Sequence, residues 1–195
     1  HNYAGVENLS LIPGNVGASP MQNIGAYGVE LMDIFYSCQA FEIQTGKVLE
    51  FKREDCQFSY RNSIFKNELK GRYIITEVTY RLSKTFVPKL SYGAIIQELK
   101  HRGQLNPSIK NVSDIISHIR VSKLPDPATI GNAGSFFKNP VIALDKFRHL
   151  QSAFPDIVNY MVDNEQVKLA AGWLIEQCGW KGYREGDAGC YPKQA

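Results

Sequence analysis

The sequence has no pair of cysteines spaced for metal binding or for redox chemistry. Its four cysteines are Cys38, Cys56, Cys178 and Cys190, and none of them forms a CxxC motif. This scatter excludes the common zinc-cluster patterns and is not typical of a disulfide framework. We therefore expect reduced thiols in a cytoplasmic protein that holds no metal.

Surplus charge and long apolar segments are missing as well. The sequence has 22 Lys and Arg residues against 19 Asp and Glu residues, and this balance does not indicate nucleic acid as a partner. No apolar run approaches the roughly 20 residues that span a bilayer, and no charged-then-apolar leader opens the chain. We therefore expect no membrane partner. At 195 residues and 44% hydrophobic content, the chain can bury a core as one domain or as two small ones.

The two ends of the sequence favour a partial protein. The chain starts at His1 without a Met and enters a Gly/Asn-rich loop almost at once. It stops at Lys193-Gln194-Ala195, directly after an irregular stretch. We expect a cropped or proteolysed form of a longer protein.

Short β-type segments dominate the chain up to about residue 90. Phe41–Gln44 and Lys47–Phe51 flank the turn residues Thr45-Gly46, and this arrangement predicts a hairpin. Tyr73–Leu82 is rich in β-branched and aromatic residues, with partial alternation of apolar and polar positions from Ile75 onward. That segment predicts a strand.

Helical periodicity begins after this β-rich part. Gly93–Lys100 predicts a short helix. Val112–Val121 places its isoleucines at helical spacing and predicts a second helix, capped by Ser113 or Asn111.

The segment Leu124-Pro125-Asp126-Pro127 breaks the chain, because proline restricts the residue before it as well as itself. Beyond it, Leu144–Phe154 and Lys168–Cys178 are typical of amphipathic helices. We predict an α+β protein with a β-rich first part and a smaller, helical second part. The predicted divisions are a first domain at 1–118, a linker at 119–127 and a second domain at 128–195.

Residues 10–28 are unusually rich in glycine. Their spacing matches neither GxGxxG nor GxxxxGK[ST], which excludes a Rossmann or P-loop phosphate site. Dense glycines still permit positive φ angles and close approach of the backbone to a ligand. Backbone N–H groups can cradle a pyrophosphate, with Ser19, Gln22 and Asn23 as neutral hydrogen-bond partners. A tight structural loop explains the composition equally well.

Arg61 lies in a polar segment with aromatic neighbours, Tyr60–Lys66. Its planar guanidinium suits bidentate binding of a carboxylate or phosphate. Because a single arginine is more often part of a surface ion pair, both interpretations stay open at this point.

Ser135 follows a glycine and precedes two phenylalanines in Gly131–Pro140. The surroundings resemble a nucleophile turn, although the GxSxG pattern is absent and no histidine is tied to the segment by sequence. A Ser-His hydrolase is therefore one hypothesis. A well-held hydroxyl can instead donate a proton to a developing carbanion.

The motifs IPGxxGAxPxQNIGAYG, YRxSxFK, KLPDP and GSFFKNP, in this order, closely resemble UDP-N-acetylenolpyruvoylglucosamine reductases, which serve bacterial peptidoglycan precursor synthesis. VKLAAGWLIEQC continues the resemblance, which runs from Gly5 to Ala195. The resemblance implies part of an FAD-binding domain of the vanillyl-alcohol oxidase type. A small α+β substrate-binding domain is expected to follow it.

The resemblance also implies a reaction. The expected activity is NADPH-dependent, FAD-mediated reduction of UDP-N-acetylglucosamine enolpyruvate to UDP-N-acetylmuramate, with hydride delivered to C3 and a proton to C2. Arg61 is expected against the substrate carboxylate, and Ser135 is expected to donate the proton. Lys138 and Asn139 are expected to polarise or orient that serine.

Further positions match binding residues of the family. The expected substrate contacts are Tyr92, Lys123, Asn139, Tyr160, Lys168 and Gln194. The expected contacts to a non-covalently bound FAD are Gly14, Gly17, Ser19, Ile24, Gly25, Ala26, Ile75 and Arg120. Tyr160 matches the tyrosine of a mobile loop that closes on the diphosphate in one subtype, and the long segment between Phe154 and Val167 favours that subtype.

Two elements of the family have no match here: a GxGSN-type turn upstream of Gly5 and a glutamate near the C-terminus. We therefore expect this chain alone, a monomer, to have little or no activity. Two alternatives stay open: another flavoprotein oxidoreductase of the same superfamily, or a nucleotide-sugar binding module. No His or Cys lies beside the glycine-rich stretch, which argues against the oxidases that attach FAD covalently.

Overall fold

The computed structural model describes residues 1–195, except that residue 93 is described only as part of its helix. The chain forms two compact units, His1–Ser122 and Lys123–Ala195. Both combine helices and strands, so the predicted α+β class is confirmed. No helix in the described residues has the length and apolar character needed to cross a membrane.

The first unit opens with short 3-10 helices and a small hairpin. Strand β1 (Gly25–Ala26) pairs antiparallel with β2 (Val29–Glu30), and the pairing places Gly25 opposite Glu30. The connecting residues Tyr27 and Gly28 have φ angles of +49° and +80°. Two successive positive φ angles match a type I′ turn, whose twist suits a two-residue hairpin loop.

A three-stranded antiparallel sheet with the order β4-β3-β5 follows. Its strands are β3 (Phe35–Glu42), β4 (Val48–Lys52) and β5 (Tyr73–Tyr80). The predicted hairpin is confirmed: Phe41 pairs with Val48, and Gly46 has a φ of +72° in the turn between them.

The predicted strand at 73–82 is also confirmed, ending at Tyr80. Its alternation is only partial because the pairing shifts by one residue. Ala40 pairs with Ile75 but Gln39 pairs with Glu77, which leaves Thr76 as the extra residue of a β-bulge. The sheet covers a buried cluster formed by Leu31, Ile34, Phe35, Cys38, Ala40, Cys56 and Phe65.

Two helices complete the first unit. Helix α1 spans Gly93–His101, and α2 spans Ile109–Lys123 and continues into the segment predicted as a linker. The helix persists because Ile119 is buried in the shared core, and it ends where Pro125 approaches. The buried cluster of the two helices consists of Ile95, Leu99, Val112, Ile115, Ile116 and Ile119.

The predicted cap of α2 was wrong. The helix begins earlier, and Ser108 precedes it, with the Asn111 backbone N–H donating to the Ser108 hydroxyl at 3.2 Å. The Ser108 backbone N–H donates in return to the Asn111 side-chain oxygen at 2.9 Å. Ser113, the other predicted cap, lies within the helix, and its hydroxyl is 2.7 Å from that of Ser10.

The second unit is built on the antiparallel sheet β6-β8-β7, packed with two helices. Its elements are β6 (Val141–Ala143), α3 (Leu144–Ala153), β7 (Asn159–Met161), β8 (Gln166–Leu169), α4 (Ala171–Gln177) and the short hairpin β9 (Arg184–Glu185) and β10 (Ala188–Gly189). The buried centre consists of Phe147, Ile157, Val167 and Leu169.

Two predictions for this unit need correction. The helix predicted at 168–178 starts only at Ala171, because Lys168 and Leu169 pair within the sheet and Leu169 is buried. The segment between Phe154 and Val167, whose length favours the subtype with a closing loop, contains strand β7 and a turn. The second part is therefore a mixed α+β unit, as the resemblance implies, and not the mainly helical part that the periodicity predicted.

Candidate functional site

The glycine-rich stretch folds into a 3-10 helix, Val16–Gln22, that ends at Asn23. Asn23 is completely buried and has a φ of +46°. Its side-chain N–H group donates to Ser59 O at 3.1 Å and to Glu30 Oε2 at 2.9 Å, while its Oδ1 accepts the Met32 N–H at 2.9 Å. A buried amide with all these partners fixes the conformation of the whole loop.

Arg61 stands at the tip of a tight turn. Ser59 and Asn62 exchange two backbone hydrogen bonds of 3.2 and 3.0 Å, leaving Tyr60 and Arg61 as the central residues. Arg61 has a φ of +53°. Such a conformation costs a residue other than glycine about 1–3 kcal/mol and persists where the surroundings hold it in place.

The structure brings the arginine turn and the glycine-rich stretch together. Arg61 Nη2 donates to the Gly25 carbonyl oxygen at 2.6 Å, and the hydroxyl of buried Ser63 donates to the Met21 carbonyl oxygen at 2.7 Å. A Cβ atom at position 25 would lie 2.8 Å from Arg61 Nη1, so only glycine leaves room for the guanidinium. This cluster within the first unit is the candidate functional site.

The two terminal nitrogens of Arg61 differ in their contacts. Nη1 is buried, and no acceptor among the described residues takes a hydrogen bond from it. Glu30 Oε1 lies 3.6 Å away, an ion-pair distance too long for a good hydrogen bond. Below the guanidinium, the Tyr60 ring centroid is 5.1 Å from Cζ, a cation–π contact. A buried charged donor without a hydrogen bond is costly, and the ion pair with Glu30 offsets part of this cost.

The predicted cofactor residues have different surroundings. At Gly17, a Cβ atom would lie 3.1 Å from the Ile75 carbonyl oxygen, so the loop packs directly on β5 there. The Ser19 hydroxyl donates to Val16 O at 2.6 Å and lies 2.9 Å from the Tyr80 hydroxyl. Ile24 and Ile75 pack against the buried cluster of the sheet. These residues shape the loop from the inside.

Gly14 and Ala26 have more open surroundings. Gly14 has a φ of +108°, and no described atom lies within 4 Å of the place a Cβ would occupy. Ala26 is partly exposed on β1. The exposed side chains of Leu11, Val16 and Met21 lie along the same stretch. The backbone at Gly14 is therefore open, and exposed apolar side chains belong to the same stretch.

Three further predicted residues, Arg120, Tyr92 and Lys123, lie in or next to α1 and α2. Arg120 Nε donates to the Leu11 carbonyl oxygen at 3.2 Å, at the start of the glycine-rich stretch. Tyr92 immediately precedes α1, and its ring packs edge-on against Tyr27 at 5.2 Å between centroids. Lys123, the last residue of α2, is exposed.

In the second unit, Ser135 is exposed on an irregular segment. The turn before it is held by the Gly134 N–H, which donates to Asn132 Oδ1 at 3.2 Å, and Gly134 has a φ of +67°. The next two side chains, Phe136 and Phe137, are exposed and pack edge-to-face at 5.1 Å. Lys138 is exposed as well.

Asn139 has a structural role that the sequence did not suggest. Its side-chain oxygen accepts the backbone N–H of Ala171, the first residue of α4, at 2.9 Å. Tyr160 and Lys168 are neighbours in register across β7 and β8. Gln194 is exposed near the chain end, where the Ala195 carbonyl oxygen lies 2.9 Å from a Cβ placed on Gly172.

Glu30 was missed at the sequence level. Nothing in its local pattern distinguishes it from a solvent-exposed carboxylate. The available signal was the pairing that a Tyr27-Gly28 turn implies, since a two-residue hairpin loop places Glu30 opposite Gly25.

Metal chemistry has no support in the described residues, which contain no group of three side chains suited to hold an ion. Cys38 and Cys56 lie together in the core, where they share a hydrogen bond. That bond and burial raise the pKa of the Cys56 thiol well above its ordinary value.

The fold is shared with a solved reductase. The crystal structure of UDP-N-acetylenolpyruvylglucosamine reductase from Thermus caldophilus superimposes with a TM-score of 0.59, at 23% identity, over 99% of this chain and 52% of that one. Residues 126–195 match the sequence model of the UDP-N-acetylenolpyruvoylglucosamine reductase C-terminal domain.

Curated relatives agree with this match. UDP-N-acetylenolpyruvoylglucosamine reductase from Pseudomonas syringae pv. syringae is 53% identical over 98% of this chain, and that from Flavobacterium johnsoniae is 50% identical over 100% of this chain. The chain is thus homologous to UDP-N-acetylenolpyruvoylglucosamine reductases, and the resemblance seen in its motifs is confirmed. The chain spans 56% of the length of the Pseudomonas relative and 58% of the length of the Flavobacterium relative.

Proposed function

We propose that the chain is part of an NADPH-dependent, FAD-containing reductase that converts UDP-N-acetylglucosamine enolpyruvate to UDP-N-acetylmuramate for peptidoglycan synthesis. The names of its relatives support this activity. The observation in the chain itself that carries the proposal is the Arg61 guanidinium, which the Gly25 carbonyl oxygen holds in place while the side chain stays 29% exposed. We further propose that the whole protein is a cytoplasmic monomer, with its first unit part of an FAD domain of the vanillyl-alcohol oxidase type.

Arg61 would bind the carboxylate of the enolpyruvyl group. Its Nη2 is already engaged with the Gly25 carbonyl oxygen, so the guanidinium is held, and the side chain is 29% exposed and can contact a ligand. During reduction at C3, negative charge spreads over the enolate formed by C2 and the carboxylate. A fixed, partly buried cation beside that carboxylate stabilises the charge without having to reorganise.

FAD would lie along the glycine-rich stretch, near Gly14 and Ala26, with the apolar side chains beside them, and bound FAD supplies hydride after its reduction by NADPH. The residues that pack inside the loop, Gly17, Ser19, Ile24, Gly25 and Ile75, would hold the backbone in the shape that accepts the cofactor. Arg120, whose Nε donates to the Leu11 carbonyl oxygen, lies beside the start of this stretch and would offer its remaining N–H groups to phosphate oxygens.

Ser135 would deliver the proton to C2. Its hydroxyl is a weak acid by itself, so its neighbours must make the transfer possible. Lys138 brings a positive charge within the same segment, and Asn139 anchors the end of that segment to α4. Uridine diphosphate would be contacted by Tyr92, Lys123, Tyr160, Lys168 and Gln194, whose mixture of cations and aromatic rings suits a nucleotide diphosphate.

The two half-reactions of the full-length protein test this function. In stopped-flow measurements, NADPH should bleach the flavin absorbance, and the enolpyruvyl substrate should restore it. Replacing Arg61 with Lys should leave bleaching by NADPH unchanged and slow the reoxidation by about 100-fold, since a lysine cannot reproduce the forked contact.

Arg72→Lys is the matched control. Arg72 forms a 3.3 Å ion pair with Glu42 at the sheet, and it also lies over a tyrosine ring. Its replacement should change neither half-reaction. A full-length protein that binds no flavin, or an Arg61→Lys variant that reduces substrate at the wild-type rate, would disprove the proposal.

A further inference from the structure

The Arg61 guanidinium is held on two sides but hydrogen-bonded on only one. The Gly25 carbonyl oxygen accepts from Nη2 at 2.6 Å, and Glu30 Oε1 lies 3.6 Å from Nη1. The two contacts come from opposite residues of one hairpin, since Gly25 and Glu30 are paired between β1 and β2. Both strands of the hairpin thus contact the guanidinium and hold it in place.

Glu30 is itself fixed in place. Its Oε2 accepts the Asn23 side-chain N–H at 2.9 Å, and Asn23 is completely buried. Glu30 and Asp33 form a capping box, in which each side chain accepts the backbone N–H of the other residue. A carboxylate with these partners cannot turn toward Nη1 without losing them.

We propose that Glu30 is a positioning residue for Arg61. This inference rests on the proposed function and deepens it. The fixed carboxylate attracts the guanidinium and, together with the Gly25 carbonyl oxygen, defines its plane, so that the exposed part of the Arg61 side chain is held in place for the substrate carboxylate. Glu30 touches neither substrate nor cofactor, and it acts through Arg61. Asn23 supports the same arrangement by fixing Glu30.

A double-mutant cycle in the full-length holoenzyme tests this role. Glu30→Gln retains the size of the side chain and an oxygen for Asn23, but it removes the charge. We expect kcat for reduction of the enolpyruvyl substrate to fall about tenfold, as for other directly interacting pairs. Flavin bleaching by NADPH should be unchanged, and KM should move less than kcat, because the lost orientation matters most as charge develops.

The same substitution is then made in Arg61→Lys protein. Without the guanidinium there is nothing for Glu30 to orient, so Glu30→Gln should have little further effect on kcat in that background. A merely structural role would lower the rate by the same factor in both backgrounds. Equal losses, or a wild-type rate in the single Glu30→Gln variant, would overturn the inference.

Glu98→Gln provides the control. Glu98 forms an ion pair with Arg102 at 2.6 Å, with a side chain that is similarly half-buried. Its replacement should leave both half-reactions unchanged. The test also separates two failures: a wild-type holoenzyme that does not reduce the substrate contradicts the proposed function, whereas an active wild type with an unaffected Glu30→Gln variant contradicts only the role of Glu30.

Discussion

The Ser63 hydroxyl donates a 2.7 Å hydrogen bond to the Met21 carbonyl oxygen and so fastens the arginine-bearing segment to the glycine-rich stretch. Ser63 is completely buried. Ser63→Ala therefore removes a buried donor and leaves the Met21 carbonyl oxygen without this hydrogen bond. Unfolding in urea should show a loss of about 1–3 kcal/mol in the free energy of unfolding.

Ser83→Ala is the matched control for this substitution. The Ser83 hydroxyl also donates to a backbone carbonyl oxygen, that of Thr85, at 2.8 Å, but in an exposed position. Water replaces the lost donor there, so stability should change by less than about 0.5 kcal/mol. Equal losses for the two variants would show that the contact to Met21 does not hold the site together.

Gly25→Ala should displace the Arg61 guanidinium. The added Cβ would lie 2.8 Å from Nη1 and 2.9 Å from the Val29 carbonyl oxygen, so either the arginine or the hairpin must move. We expect the affinity for the enolpyruvyl substrate, measured calorimetrically on the full-length protein, to fall about tenfold or more, as befits loss of a charge-assisted hydrogen bond.

Gly131→Ala separates this effect from a general cost of replacing glycine. Gly131 does not have a positive φ, and no described atom lies within 4 Å of its Cβ position. Its replacement should leave the thermal midpoint unchanged, whereas Gly25→Ala should lower it. Unchanged substrate affinity in Gly25→Ala would mean that the guanidinium is not seated as the structure indicates.

Local sequence patterns predicted the elements whose conformation depends mainly on residues close together in the sequence. The hairpin around Gly46, the strand at Tyr73 and the helices begun at Gly93 and Leu144 were all visible as turn residues or periodic apolar positions. The start of α4 could not be predicted in this way. Lys168 and Leu169 fit the apolar spacing of a helix, but in the structure they pair in a sheet. That pairing with β6 and β7 involves residues far away in sequence.

The candidate site, too, could be predicted only where the signal was local in the sequence. The importance of Arg61 was predicted from the resemblance, and the glycines signalled a closely packed backbone. The contacts that hold the arginine side chain could not be predicted, because the hydrogen bonds from Asn23 to Ser59 and from Arg61 to Gly25 each join residues 36 positions apart. Position and partner of such a side chain follow from tertiary structure alone.

Substitutions of Asn139 can separate a structural role of this residue from a role in substrate binding. Its side-chain oxygen accepts the N–H at the start of α4, so Asn139→Ala should lower the free energy of unfolding by about 1 kcal/mol. Asn139→Asp keeps an acceptor oxygen and should retain most of the stability. If Asn139→Asp is stable but binds the UDP-sugar much more weakly than wild type, the residue serves both purposes. A loss of affinity in Asn139→Ala without any loss of stability would contradict the capping role.

The four cysteines should react with a thiol reagent at different rates, because they differ in exposure. Cys178 is exposed and Cys190 is partly so, whereas Cys38 and Cys56 are buried together in the core of the first unit. Reagents attack the thiolate, and both burial and the hydrogen bond to Cys38 raise the pKa of Cys56, which keeps that thiol protonated at neutral pH. The folded protein should therefore show a fast phase that disappears in Cys178→Ser, and Cys38 and Cys56 should react only when urea unfolds the chain. Mass spectrometry of the labelled peptides identifies each site, and rapid labelling of Cys56 in folded protein would show that this core opens easily.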